Sequence, residues 1–145
     1  LPPPLRRQAL FSDGFMCMLR QRHPALRGGL TLRKYLALRH VVVAPFGAPG
    51  SIVDTELAKG GKQRRVALRV PHFLVAPLVV SESNLISTAP ERLARRLADA
   101  HPIRLLPPPL ALPSFTLSQV WHARLDSDPA HAWLRSVVAD LASTL

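Results

Sequence analysis

Val41-Val42-Val43-Ala44-Pro45-Phe46-Gly47-Ala48-Pro49-Gly50-Ser51, running on into Ile52 to Lys59 and Gly60-Gly61, is the stretch from which the fold is read. An apolar run with no polar alternate, opened by three β-branched valines, suits a strand covered on both faces, as in a parallel sheet. Pro45 ends that strand. The loop after it carries two glycines, Gly47 and Gly50, and opens into Ile52 to Lys59, which reads as a short helix closed by Gly60-Gly61. Val66, Leu68 and Val70 then alternate with Ala67 and Arg69, the period-two signature of a half-buried strand, and Pro71 closes it. Apolar runs alternating with helical patterns between proline and glycine punctuation predict an α/β architecture.

The same grammar extends outward. Phe15 to Leu19 reads as a strand, stopped by Arg20-Gln21-Arg22 and by Pro24, whose ring restricts His23 to extended backbone. Phe73 to Val80 is apolar throughout: its β-branched content suits a strand, while Pro77 is tolerated in the first turn of a helix, and the helix is the preferred reading. Leu85-Ile86-Ser87 is a short strand, and Thr88 to Glu91 has the spacing of a capping box. In the helix that follows, Leu93, Ala94 and Leu97 share one face, Arg92, Arg95, Arg96 and Asp99 the other, and Pro102 stops it. Ile103 to Leu106 is another strand. Pro107-Pro108-Pro109 and Pro113 make a stiff connector, and Phe115 to His122 returns as a strand. The last helix has Asp128 at its cap and Pro129 at its first position. Its stripe of Ala130, Trp133, Leu134, Val137, Val138 and Leu141 is expected to be buried.

The chain has 145 residues, 19 Lys+Arg against 9 Asp+Glu, a net charge of +10 and 48% hydrophobic residues, enough for a sizeable core. Its single cysteine excludes an internal disulfide. Cys17, inside Phe15-Met16-Cys17-Met18-Leu19, reads as a small buried hydrophobe. The longest apolar run, Phe73 to Val80, falls far short of the roughly 20 residues of a membrane-crossing helix, so no membrane span is expected. The opening Leu1-Pro2-Pro3-Pro4-Leu5-Arg6-Arg7 has no initiator methionine and reads as the interior of a longer protein. The tightest basic groups are Arg6-Arg7, Arg64-Arg65 and Arg92 with Arg95-Arg96. Spread charge without interleaved aromatics reads as a solvated surface rather than a nucleic-acid platform.

Most site chemistries are excluded by spacing. His23, His40, His72, His101, His122 and His131 include no pair four apart, and CxxC is absent, so no metal site is expected. Gly47-Ala48-Pro49-Gly50-Ser51 places Ser51 wrongly for a G-x-S-x-G nucleophile. The loop lacks the lysine of a phosphate-binding loop and the G-x-G-x-x-G of a dinucleotide fold, and no cofactor is expected. Two convergences remain. A strand, a glycine loop and a helix start together aim backbone amides at one point, suited to an anion or carboxylate, with an ordinary tight turn as the alternative. At Pro71-His72-Phe73 a second strand hands over to a second helix, and open α/β sheets bind ligands beyond such carboxyl ends; a histidine that merely caps a turn is the alternative there. An enzymatic assembly of Ser51, His72 and Asp54 is the least favoured reading, and the chain is not expected to be an enzyme.

Taken in order, these segments resemble the co-inducer-binding domain of LysR-type transcriptional regulators, which is similar to a type 2 periplasmic binding protein. Leu10 to Leu19 followed by His23-Pro24 is similar to the family's strand and turn before the second lobe. Thr31-Leu32, Tyr35-Leu36 and His40 to Val43 resemble the segment entering that lobe. Val70 to Phe73, Pro77 to Val80 and Leu85 to Pro90 resemble its strand, helix and proline turn, and Leu117 to His122, with Pro129-Ala130 and Trp133-Leu134, the returning strand and closing helix. The branch it looks closest to includes regulators of aromatic catabolism and nodulation.

The resemblance implies one complete lobe, a mostly parallel sheet flanked by helices, plus the closing strand and helix of the other. Residues 1–23 would be the last part of the first-lobe strand and crossover, 24–112 the second lobe, and 113–145 the return to the first. It implies a small-molecule effector, anionic or aromatic, with a carboxylate among the candidates, held between the lobes, with Phe46, Gly47, Gly50, Ser51, His72 and Phe73 lining the second-lobe side. It further implies a cytoplasmic homo-oligomer, typically a dimer, touching DNA only through an N-terminal winged helix-turn-helix that this sequence does not contain. A solute-binding protein of a transport system shares the fold and is the alternative.

Overall fold

The computed structural model describes residues 4–45 and 50–144. Strands β1 (Leu5–Asp13) and β2 (Phe15–Arg20) come first, then helix α1 (Leu32–Ala37), β3 (Arg39–Val43), α2 (Ile52–Lys59) and β4 (Arg65–Val70). They are followed by α3 (Val75–Ser81), β5 (Leu85–Pro90), α4 (Glu91–Ala100), β6 (Ile103–Leu106), β7 (Phe115–His122) and α5 (Pro129–Ser143). The chain divides into two units: Gly14–Pro113, and the two ends, up to Asp13 and from Ser114. The sequence reading places these divisions at 23/24 and 112/113. The first lies earlier because β2 is a central strand of the larger unit, and only Gly14 separates it from β1, which pairs elsewhere.

The larger unit holds a five-stranded sheet in the order β4-β3-β5-β2-β6. β3 runs parallel to both β4 and β5, while β2 is antiparallel to β5 and β6. The sheet is therefore mixed: parallel on the side of β3 and antiparallel around β2. One face packs Met18, Val41, Val70 and Ala89 with Ala76 and Val80 of α3 and Ala94 and Leu97 of α4. The other packs Cys17, Leu19 and Ile86 with Tyr35 of α1 and Val53 and Leu57 of α2. Val41 and Val42 are both buried, one toward each face, which is why their run shows no alternation.

Two local expectations are corrected and one helix is added. The alternation of Val66, Leu68 and Val70 is broken by a bulge at Ala67: His40 pairs with Val66 but Val41 with Leu68, so Val66 and Leu68 lie on opposite faces and Leu68 is exposed. Thr88 caps no helix. β5 continues to Pro90, the Thr88 hydroxyl turns inward to meet the Tyr35 hydroxyl at 2.9 Å, and the Glu91 carboxylate instead pairs with Arg95. α1, capped by Thr31, is an additional helix of six residues, too short to show a period.

In the smaller unit β1 and β7 form an antiparallel pair with a bulge near Ala9, and α5 starts where Asp128 and Pro129 predict, the Asp128 carboxylate accepting from His131 N at 2.7 Å. The α5 stripe is not buried. Ala130, Trp133, Leu134 and Leu141 are exposed, Val137 and Val138 half-buried, and Ala142 is the residue of this helix that is fully covered. Among the described residues, one two-stranded ribbon is all the sheet this helix has in its unit, and a ribbon offers too little apolar surface to cover it.

Candidate functional site

The parallel pairing of β3 and β4 brings the two predicted convergences to one edge. Val43 pairs with Val70, and Ala44 N donates to Val70 O at 2.8 Å just beyond the last pair. The segments ending in Gly50-Ser51 and Pro71-His72-Phe73 therefore leave the same carboxyl-terminal edge of the sheet. Phe46 and Gly47, named with them, lie outside the described residues. Gly50 has φ +90°, in the left-handed region that glycine enters without cost, and turns the chain into α2. Ser51 is the N-cap of that helix. His72 is exposed, whereas Phe73 is half-buried and packs on the core beneath α3. Of the described candidates, Gly50, Ser51 and His72 thus face outward to differing degrees, and Phe73 anchors its turn.

The N-terminus of α2 is tied down from below. Ser51 N donates to Asp54 Oδ2 at 2.9 Å, half of a capping box. Arg64, just before β4, sends its guanidinium under the helix start: Nε donates to Asp54 Oδ1 at 2.7 Å, and Nη2 donates to Asp54 Oδ2 at 3.0 Å and to Ser51 Oγ at 2.7 Å. Its side chain is 2% exposed. Burial works against the Asp54 carboxylate, but the hydrogen bonds and charge of Arg64, with those from Ser51, outweigh it and hold the pKa below the ordinary carboxylate value.

The network continues inward. The charge of Arg64 reaches the Tyr35 phenol. The Tyr35 hydroxyl meets Thr88 Oγ1, which lies 3.6 Å from Cys17 Sγ. Burial pushes both the Cys17 thiol and the Tyr35 phenol up to about 12, so both stay protonated and neutral. His40 is fully buried; its Nε2 donates to Tyr35 O at 2.9 Å and its Nδ1 meets no partner. Desolvation, only partly offset by that carbonyl, lowers its pKa to about 4.

Arg64, Tyr35, Thr88 and His40 are the residues that sequence reasoning passes over. Arg64 reads in sequence as half of the exposed pair Arg64-Arg65, and the structure buries it. The one signal available was Ser51-x-x-Asp54, a capping spacing that points to an acidic residue at the helix start but not to the cation that answers it. Among the described residues no group of three His, Cys, Asp or Glu side chains is placed to hold a metal ion. Nor is any described helix long and apolar enough to cross a membrane.

Comparison with known proteins decides the family. The LysR substrate binding domain matches residues 1–143. The chain belongs to the LysR substrate-binding domain family. It is 37% identical over 140 residues to the HTH-type transcriptional regulator SyrM of Rhizobium meliloti, a match covering 95% of this chain and 43% of SyrM. The regulatory domain of MexT, a transcriptional activator in Pseudomonas aeruginosa, superposes with a TM-score of 0.83 at 33% identity, over 96% of this chain and 68% of that one. The effector-binding domain of QuiR, solved in complex with shikimate, has a TM-score of 0.77 over 98% of this chain and 67% of that one; at 13% identity it bears on the fold alone. The fold is accordingly of the type 2 periplasmic-binding-protein kind. This chain spans under half the length of SyrM.

LysR-family relatives are transcriptional regulators and not enzymes. The enzymatic assembly of Ser51, His72 and Asp54 falls away, and the geometry agrees: the Ser51 hydroxyl and the Asp54 carboxylate are both engaged by Arg64. The transport-protein alternative gives way to the regulator reading.

Proposed function

We propose that this LysR-family domain senses a small effector for a transcriptional regulator, and that an anionic group of the effector, a carboxylate, docks at the sheet edge carrying Gly50, Ser51, His72 and Phe73. One observation carries the reading: parallel pairing of β3 with β4 delivers a left-handed glycine, the N-terminus of α2 and the His72 turn to a single edge. Amides at a helix start favour negative charge, and ligands of open α/β sheets bind beyond the carboxyl ends of strands. With Ser51 Oγ engaged by Arg64, backbone amides and the His72 ring supply the polar contacts, while Phe73 offers an apolar side to an aromatic or alicyclic ring. DNA would be contacted by a helix-turn-helix segment elsewhere in such a regulator, working in the cytoplasm as a dimer.

The test is a thermal-shift and calorimetric screen of the protein with benzoate and shikimate against their uncharged amides. Carboxylates at about 100 times their dissociation constant should add about 2.7 kcal/mol of stability, the amides much less, and His72→Ala should weaken the response. Equal responses to acids and amides, or none to either, would refute the carboxylate reading.

A further inference from the structure

The buried cation under the candidate edge, Arg64, makes none of the effector contacts proposed there. A buried ion pair is a poor way to gain stability, since well-packed apolar residues of similar volume usually serve as well. The sheet face that α1 and α2 cover is built from Leu19, Tyr35, Val53, Leu57 and Ile86. What an apolar side chain would not supply is direction. The guanidinium grips both oxygens of Asp54 in a planar fork, fixing the position and the rotation of the carboxylate. That carboxylate in turn accepts from Ser51 N, and Nη2 also donates to Ser51 Oγ. Further in, the Tyr35 hydroxyl meets Thr88 Oγ1 at 2.9 Å and feels the charge of the guanidinium. Backbone at Gly50 is free to turn at φ +90°, so the helix start one residue later is where the loop must be held if its amides are to point in one direction.

We propose that Arg64 is the positioning residue of the effector edge: through Asp54 and Ser51 it fixes the Gly50–Ser51–Ile52 backbone without touching the effector. The inference rests on the reading of that edge as the effector site, and its two parts are separable by experiment. Amide hydrogen exchange over residues 50–55, followed without any ligand, reports the latch. Calorimetric affinity for benzoate and shikimate reports the recognition. Arg64→Met removes the fork; Arg64→Lys keeps the charge and loses the planar geometry, and serves where the methionine variant folds poorly. Ile86→Val, a mild core truncation on the same sheet face, controls for loss of stability alone.

Arg64→Met is expected to speed exchange at residues 51–55 and to weaken carboxylate affinity by about tenfold or more, the scale of one charge-assisted hydrogen bond. Exchange in β3 and β5 should stay as in the unaltered protein. Arg64→Lys should fall between, and Ile86→Val should leave both readouts in place. Unchanged exchange in Arg64→Met would overturn the latch whatever the effector. Faster exchange with unchanged carboxylate affinity would overturn the recognition role. Failure of the unaltered protein to bind either carboxylate would sink the reading of the edge, and with it the role assigned to Arg64 there, even if exchange showed the latch to exist.

Discussion

His40 should make the folded chain sensitive to acid in a window where most carboxylates are still ionised. It titrates near 6.5 when unfolded and near 4 when folded, because burial among Tyr35 and its neighbours disfavours the imidazolium. Between those values the unfolded state binds more protons, so stability rises with pH there; the contribution is intact above 6.5, falls away as pH drops toward 4, and changes no further below. From the two values, moving from about pH 7.5 to about pH 4.5 should remove about 2.5 kcal/mol, a large share of the roughly 5–15 kcal/mol typical of a domain. Asp54 does not contribute in that window: its pKa lies below 3.8, so its share is lost only at lower pH. The assay is urea unfolding by circular dichroism at the two pH values, on the unaltered protein and on His40→Gln. Glutamine keeps an N–H for the Tyr35 carbonyl and does not titrate, and all other ionisable groups cancel in the comparison. The stability of the unaltered protein relative to His40→Gln should fall by about 2.5 kcal/mol on acidification. Parallel pH dependence in the two would show that His40 is not held neutral in the fold and would refute the reasoning.

Three further outcomes are expected. Ile86→Ala, at a fully buried position of β5 facing α1 and α2, should cost about 2–5 kcal/mol in urea unfolding with an unchanged slope. Cys17, buried and with its thiol pushed up to about 12, should resist a thiol-titrating reagent in the folded protein and react only in denaturant; rapid labelling without denaturant would contradict that burial. Asp128→Ala removes the acceptor of His131 N and should cost about 1 kcal/mol, with faster amide exchange confined to the first turn of α5.

How much of this was legible in the sequence depends on the range of the interaction that decides each feature. α2 begins and ends as read, because a glycine-rich loop before it and Gly60-Gly61 after it are local signals, Gly61 taking φ +63°. β6 and β7 are bounded as expected by prolines and turns. The burial of Val41 and Val42 follows from composition alone. Thr88-Ala89-Pro90-Glu91 misled because the capping spacing is permissive: the same threonine is also an excellent strand residue, and a buried phenol was waiting for its hydroxyl. Ala67 gives no sign that it is an extra residue opposite β3, since a bulge is a property of the pairing. The α5 pattern was read correctly as a pattern, but amphipathicity names a face and not what covers it.

The candidate site divides along the same line. Gly50 and Ser51 are legible as a loop-to-helix junction because a helix start is short-range physics: a glycine, a hydroxyl and an acid three residues on stand within five consecutive letters. His72 and Phe73 are legible as the end of a strand for the same reason, their role at the edge remaining a proposal. Arg64 was missed because its bond to Asp54 spans ten residues and exists only once β4 lies beside β3 and α2 packs across them. In a chain of net charge +10 one more arginine carries no information by itself; what distinguishes Arg64 from Arg65 is a side chain 2% exposed, with a carboxylate set opposite it. Charge counted along the sequence therefore describes the field around the molecule, whereas the cation that shapes the candidate site is the one removed from that field. Substitutions chosen from sequence would alter Ser51, whose hydroxyl is already engaged; substitutions chosen from the structure alter Arg64, and only these separate holding the loop from touching the effector.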